Sequence, residues 1–151
     1  MTDQKSKVAI VTGASRGIGA EIAKRLASEG FAVAINYANS ATEASKLVVQ
    51  LRQAGQQAIA IKADVSSAAD VRRMFDETET HLGKVDLLVN NAGILQVMPL
   101  AQHSDELFDQ TFAINTRGTF NTLREAATRL NDGGRIVNFS RSLGIDFICI
   151  T

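Results

Sequence analysis

Five short apolar runs punctuate the chain: "KVAIVT" (7–12), "FAVAINY" (31–37), "QAIAIK" (57–62), "VDLLVN" (85–90) and "RIVNFS" (135–140). Each is nearly continuous rather than alternating, which is the pattern of strands covered on both faces. The segments between them place apolar residues at three-to-four spacing, as helices do. Strand and helix therefore alternate, and the expected fold class is α/β with a parallel sheet.

The helical segments carry their own punctuation. The first follows a glycine loop, with Ile18, Ile22 and Leu26 as its expected core stripe, and Gly30 stops it. Ser40 and Glu43 have capping-box spacing and open a helix with the stripe Ala44, Leu47, Val48 and Leu51, ending at Gly55. Asp64 to Ser67 lead into a third, with Val71, Met74, Phe75 and Leu82 apolar and Gly83 at its end. Beyond the only proline, Pro99, Ser104 is positioned to cap a helix through Leu107, Phe108 and Phe112. A separate helix is expected over 116–130, ended by Gly133 and Gly134. With no repeat, low-complexity tract or linker, one domain is expected.

Composition narrows the function classes. Sixteen basic residues balance sixteen acidic ones, so no net field draws the chain to nucleic acid or to an anionic membrane, and any anion needs a local site. One cysteine, Cys149, allows no internal disulfide; the polar start "MTDQKSK" lacks the apolar core of a signal peptide, and no segment approaches membrane-spanning length. The expectation is a cytoplasmic protein with neither nucleic acid nor membrane as partner.

The loop "TGASRGIG" (12–19) lies between a strand and a helix. Gly13 permits a turn that a Cβ would obstruct, Gly17 and Gly19 allow close backbone approach, and the helix start offers free N–H groups to a pyrophosphate. Taken alone, the loop could be a tight turn without a ligand. Together with "NNAG" at 90–93 after the fourth strand, it resembles the short-chain dehydrogenase/reductase family, nearest in pattern to 3-oxoacyl-acyl-carrier-protein reductases. The resemblance runs from Lys7 to about Ser142. It implies a Rossmann-like doubly wound sheet of seven strands, of which the five read here take the order 3-2-1-4-5.

In dinucleotide folds an acid at the end of the second strand binds the ribose 2′-hydroxyl of NAD, and a basic residue accommodates the 2′-phosphate of NADP. Tyr37 stands at the acid's place and Arg16 lies in the glycine loop, so NADP(H) is the expected cofactor. The resemblance adds Ser15 and Ile18 in the loop, Ala92 and Gly93 in "NNAG", Asp64 with the Val65 backbone at the adenine, and Asn90 near the adenosine ribose. Asp64 could instead start a turn or cap the third helix, and Asn90 could brace the sheet.

Hydride transfer to a carbonyl carbon leaves charge on the oxygen, so the site needs an acid and a hydrogen-bond donor there. In the resembled family these are a tyrosine and a serine, with a lysine four residues after the tyrosine and an asparagine in the proton relay. Asn115, in "FAINTRG", matches the asparagine and Ser142 the serine, ahead of Ser140. The alternatives are a polar residue at a helix break and an ordinary loop hydroxyl. The only tyrosine is Tyr37, followed four residues later by Ala41, so these 151 residues contain no Tyr-x-x-x-Lys. His81, at a helix end, and His103, before a cap, are poorly placed to replace it.

The family tyrosine would fall just past Thr151, and "LGIDFICIT" lacks the character of a substrate loop. The expectation is an NADP-binding unit over 1–142 with an aberrant or truncated tail over 143–151, its fifth strand left as an association-prone edge. By resemblance the activity is NADPH-dependent reduction of a small-molecule carbonyl, a 3-oxoacyl thioester or similar ketone. This chain is expected to be inactive alone; the alternatives are a fragment that binds NADP(H), or pairs with an intact relative through the helix near 116–130, without turnover, and a truncated product that does not fold stably.

Overall fold

The apolar runs become five parallel strands: β1 (Val8–Val11), β2 (Ala32–Tyr37), β3 (Ala58–Lys62), β4 (Leu87–Asn90) and β5 (Arg135–Asn138). They pair in the order 3-2-1-4-5. The computed structural model describes residues 6–140. Registers run Val11 opposite Ile35, Val11 opposite Val89, Tyr37 opposite Lys62 and Asn90 opposite Asn138. The strand order reverses between β1 and β4, and in open α/β sheets the crevice at such a reversal is where ligands bind.

The helices are α1 (Gly17–Ser28), α2 (Ala41–Gln53), α3 (Ala68–His81), α4 (Asp105–Phe112) and α5 (Gly118–Arg129). Alternate strand residues serve opposite faces of the sheet. Val11, Val33 and Ile35 pack with Ala23 and Ala27 of α1 and Leu47, Val48 and Leu51 of α2. Val8, Ile10, Ile61 and Leu88 pack with Val71, Met74 and Phe75 of α3 and Ala126 of α5. The result is three layers with the sheet in the middle.

Three local expectations are corrected. The stripe that α1 buries is Gly19, Ala20, Ala23 and Ala27, while Ile18 is 52% exposed and Ile22 and Leu26 are only partly buried. The cause is close approach: a Cβ on Gly19 would lie 2.5 Å from the Gly13 carbonyl oxygen, so only small side chains fit between helix and loop. The Ser40–Glu43 capping box does not form, because Ser40 occupies the N-cap of α2 without a side-chain bond. Finally, the helices before and after Asn115 are not separated by a break. A π-helical turn, Ala113–Arg117, joins α4 to α5.

Other punctuation is as expected. Ser67 caps α3 by accepting from the Asp70 N–H (3.3 Å), and Ser104 caps α4 by accepting from the Leu107 N–H (3.2 Å). Gly30, Gly55 and Gly83 follow α1 to α3 with positive φ, the usual way a helix is stopped. Helix α4 buries no residue, leaving Phe108 and Phe112 exposed with ring centroids 4.4 Å apart. Among the described residues β5 has β4 as its one neighbour, and Ile136, Val137 and Phe139 are exposed.

Charged contacts tie α5 to α3 and brace the start of α3. Arg129 of α5 forks onto Glu79 of α3 (3.0 and 2.7 Å), reaches Asp76 at 2.7 Å and lies over the Phe75 ring. Glu79, then Asp76, hold the guanidinium firmly protonated. At the start of α3, the Asp70 carboxylate accepts from the Asp64 N–H at 2.9 Å and pairs with Arg73. That backbone bond, then Arg73, keeps its pKa below the ordinary 3.8.

Replacing the fork with an apolar group, Arg129→Leu, is expected to cost about 1–3 kcal/mol, with Arg129→Lys recovering part of it. Urea unfolding checks this, and an unchanged midpoint in the leucine variant would refute it. A lowered carboxylate pKa contributes stability above its unfolded value that is lost as pH falls through the folded value. The stability advantage of the parent over Asp70→Asn should therefore be full at neutral pH and shrink below about pH 4; an advantage that does not shrink on acidification contradicts the assignment.

Candidate cofactor and active site

The glycine loop leaves β1 at Thr12 and enters α1 at Gly17. Gly13 and Gly17 have φ of +61° and +58°, the left-handed region that other residues rarely adopt. Gly13 is also constrained by space, since a Cβ there would lie 2.8 Å from the Ala92 Cα. At Gly17 a Cβ would meet nothing within 4 Å, so backbone sign alone requires glycine and the loop's outer side is open.

The N-terminus of α1 differs from its neighbours. Helices α2, α3 and α4 carry Glu43, Asp70, and Asp105 with Glu106 in their first turns; α1 and α5 carry no acid there, but α5 continues directly from the π-helical turn whereas α1 opens from a loop. Arg16 occupies the N-cap with extended backbone and no side-chain cap bond. The first-turn N–H groups thus lack both a capping side chain and a local carboxylate. An anion there gains hydrogen bonds and the positive end of the helix dipole, so the loop fits a pyrophosphate. Ser15 is half-buried, and Arg16 and Ile18 are exposed at this mouth.

The loop is held from both flanks. On the β4 side, the Thr12 hydroxyl accepts from the Asn91 and Ala92 N–H groups, both at 3.0 Å. The Asn91 carboxamide donates to the Thr12 and Gly13 carbonyls at 3.0 and 3.1 Å. On the β2 side, the Gly13 N–H donates to the Asn36 carboxamide oxygen at 3.1 Å. Asn90 is buried and braces three elements. Its amide donates to Asn138 of β5 (2.9 Å), and its oxygen accepts from Thr122 of α5 (2.7 Å). The bracing alternative for Asn90 is thus realised.

A second cluster beside the glycine loop is assembled from the ends of β2 and β3 and from α5. Tyr37 is half-buried at the last position of β2. The Asp64 carboxylate accepts from the Ser66 N–H (2.9 Å) and hydroxyl (2.7 Å), so its side chain forms a local turn and Ser67, not Asp64, caps α3. Val65 is buried and held by α5: the Asn121 amide donates to the Val65 and Ser66 carbonyls, at 2.9 and 3.2 Å. Gly118 makes this contact possible, because a Cβ there would lie 2.6 Å from Val65 Cγ2.

Asn115 lies in the π-helical turn, and its carboxamide spans the Ile94 backbone, accepting from the N–H and donating to the carbonyl, both at 2.8 Å. Its oxygen is 3.3 Å from where a Cβ on Gly93 would sit. Gly13, Ala92, Gly93 and Asn115 are thereby drawn to one end of the sheet, beside the switch point. A π turn in a helix frequently marks a functional position. Ser142 and the 143–151 tail lie outside the described residues, whereas His81 and His103 are exposed, one ending α3 and one preceding the α4 cap. Sequence reasoning missed Thr12, Asn36, Asn91, Asn121 and Thr122 as parts of this framework. A signal for two of them exists, since Thr12 ends the apolar run of β1, Asn36 interrupts that of β2, and both are buried.

Comparison with known proteins agrees with this geometry. The family model for short chain dehydrogenases matches residues 7–147. A short chain dehydrogenase from Passalora fulva, claC, is 46% identical over 93% of this chain and 53% of its own length. A probable tetrahydroxynaphthalene reductase from Zymoseptoria tritici is 42% identical over 87% of this chain and 49% of its own. Among solved structures, a dehydrogenase/reductase from Sinorhizobium meliloti superposes with TM-score 0.84 at 48% identity, covering 87% of this chain and 52% of that one. A short chain dehydrogenase from Burkholderia cenocepacia in complex with NADP gives 0.83 at 44%, covering 87% and 54%. The chain spans about half the length of these relatives. With its 3-2-1-4-5 sheet and its glycine loop and "NNAG" loop locked together at the switch point, the chain belongs to the short-chain dehydrogenase/reductase family of oxidoreductases.

Proposed function

We propose that this chain forms the NADP(H)-binding half of a reductase acting on a small-molecule carbonyl. The observation that carries the proposal is the acid-free, uncapped N-terminus of α1 behind the open face of Gly17, with Tyr37 where an NAD-selecting acid would stand. When bound, NADPH supplies a hydride for the carbonyl carbon. Gly17, Ile18 and Gly19 offer backbone N–H groups to its pyrophosphate. Arg16 pairs with the 2′-phosphate, and Asp64 and Val65 frame the adenine.

A charged bond from Arg16 contributes about 1.5–3 kcal/mol, or about 10- to 100-fold in preference for NADPH over NADH. Among the described residues no carboxylate competes for Arg16 as an ion-pair partner. The bound structural neighbour from Burkholderia, and a blue fluorescent protein from a metagenomic library solved in complex with NADPH at 43% identity, support the same cofactor here.

For the chemistry, Ser142 would donate a hydrogen bond to the carbonyl oxygen and Asn115 would hold the proton relay in place, as the family pattern implies. The proton donor itself, the tyrosine of a Tyr-x-x-x-Lys pair, is not among these 151 residues. The proposed substrate is a 3-oxoacyl thioester or a similar ketone. The names of two relatives, the tetrahydroxynaphthalene reductase and an elsinochrome reductase, make a cyclic aromatic-derived ketone the first alternative to assay. A second reading, in which the chain binds NADP(H) without turnover, rests on that missing pair.

Calorimetric titration of the chain should show NADPH binding more tightly than NADH, with the ratio falling about 10-fold or more in Arg16→Ala. An unchanged ratio removes Arg16 from the 2′-phosphate site. With NADPH and a ketone panel, the 151-residue chain should show binding but no consumption of NADPH above background. Turnover at an ordinary enzymatic rate, about 1 per second or faster, would refute the requirement for the missing pair.

A further inference from the structure

Asn36 is a carboxamide in an apolar strand, 2% exposed, and its bonds lead in two directions. Its oxygen accepts from the Gly13 N–H at 3.1 Å; its amide donates to the Ala63 carbonyl at 2.9 Å and more weakly to the Ile61 carbonyl at 3.4 Å. Its backbone carbonyl accepts from the Ala14 N–H at 2.8 Å. Gly13 and Ala14 belong to the loop proposed above to take the pyrophosphate. Ala63 immediately precedes Asp64 and Val65, proposed above to frame the adenine. One buried side chain therefore joins the two loops that a nucleotide must span, alongside the backbone bonds from the Ala14 N–H to the Asn36 carbonyl and from the Ala63 N–H to the Tyr37 carbonyl (2.9 Å).

No other side chain of this size does both tasks. Aspartate would accept from Gly13 but place its oxygens against two carbonyls, and leucine would orphan a buried N–H and a buried carbonyl at once. On its opposite side the Gly13 carbonyl is fixed by Asn91, so the residue with φ of +61° is held through the peptide groups on both its sides. Releasing the Asn36 side chain leaves each loop tied to β2 by its backbone bond alone, which loosens the loop relative to the turn after β3 without breaking the sheet, since the β2 ladders to β1 and β3 are backbone bonds.

We propose that Asn36 is a positioning residue for the nucleotide: without touching it, the carboxamide holds the pyrophosphate loop and the adenine turn at the separation that binding requires. The inference rests on the NADP(H) reading above. It predicts that Asn36→Leu and Asn36→Asp bind 2′,5′-ADP about tenfold more weakly or worse, measured by calorimetry at a temperature where each variant is fully folded. Thr78→Ala serves as the control. Thr78 is buried in α3 and its hydroxyl donates to the Met74 carbonyl, at 2.7 Å, so this variant should melt lower yet bind 2′,5′-ADP as the parent does.

Unchanged affinity in both Asn36 variants overturns the proposal, as does an equal loss in Thr78→Ala, which would make stability the whole effect. If neither Asn36 variant folds, the parent decides. In a 2′,5′-ADP titration followed by NMR, the Gly13 N–H and Asn36 carboxamide resonances should shift with the binding isotherm, and stationary resonances would refute the coupling. A parent that binds neither NADPH nor 2′,5′-ADP overturns the cofactor reading itself, an outcome distinct from variants that match a binding parent.

Discussion

The approach of the β1 loop to the β4 loop is the contact from which the rest of the site follows. With the Gly13 backbone against Ala92 and the Thr12 hydroxyl accepting two successive N–H groups, the two central strands end in one fused unit. These bonds satisfy partly buried backbone groups that would otherwise be costly to leave unpaired. They also force the opening of α1 to face the crevice at the switch point. Remove the close approach and the helix terminus, the "NNAG" backbone and Asn115 no longer share one end of the sheet.

Around that unit the polar side chains form a framework of carboxamides. Asn36 links it outward to β3, Asn91 inward to Gly13, Asn90 onward to β5 and α5, and Asn121 from α5 to the Val65 turn. A carboxamide suits this work because it donates and accepts without a net charge whose burial would be expensive. The framework leaves the open face of the glycine loop uncharged apart from Arg16, which favours an anionic ligand there.

The strands and most helices are legible in the residue pattern alone. Unbroken apolar runs of this length between helical segments read as strands covered twice, and three-to-four spacing with terminal glycines locates α2 and α3 to within a residue or two. The stripe of α1 is not legible in the same way. Large apolar residues suggest one face, whereas its core face is set by how near a helix can come to the loop, a tertiary distance that favours alanine and glycine. The absent cap at Ser40 and the π turn at Asn115 escape the pattern for a related reason. Both depend on backbone angles that several sequences could adopt. The roles of Asn36 and Asn91 need partners 23 and 78 positions away, which no local pattern encodes.

The π-helical turn has a geometric consequence of its own. Such a turn accommodates one more residue than an α turn, and one residue corresponds to about 100° of rotation about a helix axis. Losing any single residue between Ala113 and Arg117 would let α4 run into α5 as uninterrupted α-helix, at the expense of swinging one helix about a quarter-revolution against the other. Since Asn121, Thr122 and Ala126 are fixed against the sheet, α4 would take up the swing and Asn115 would leave the Ile94 backbone. Length is thus invariant at this point in a way that residue identity is not.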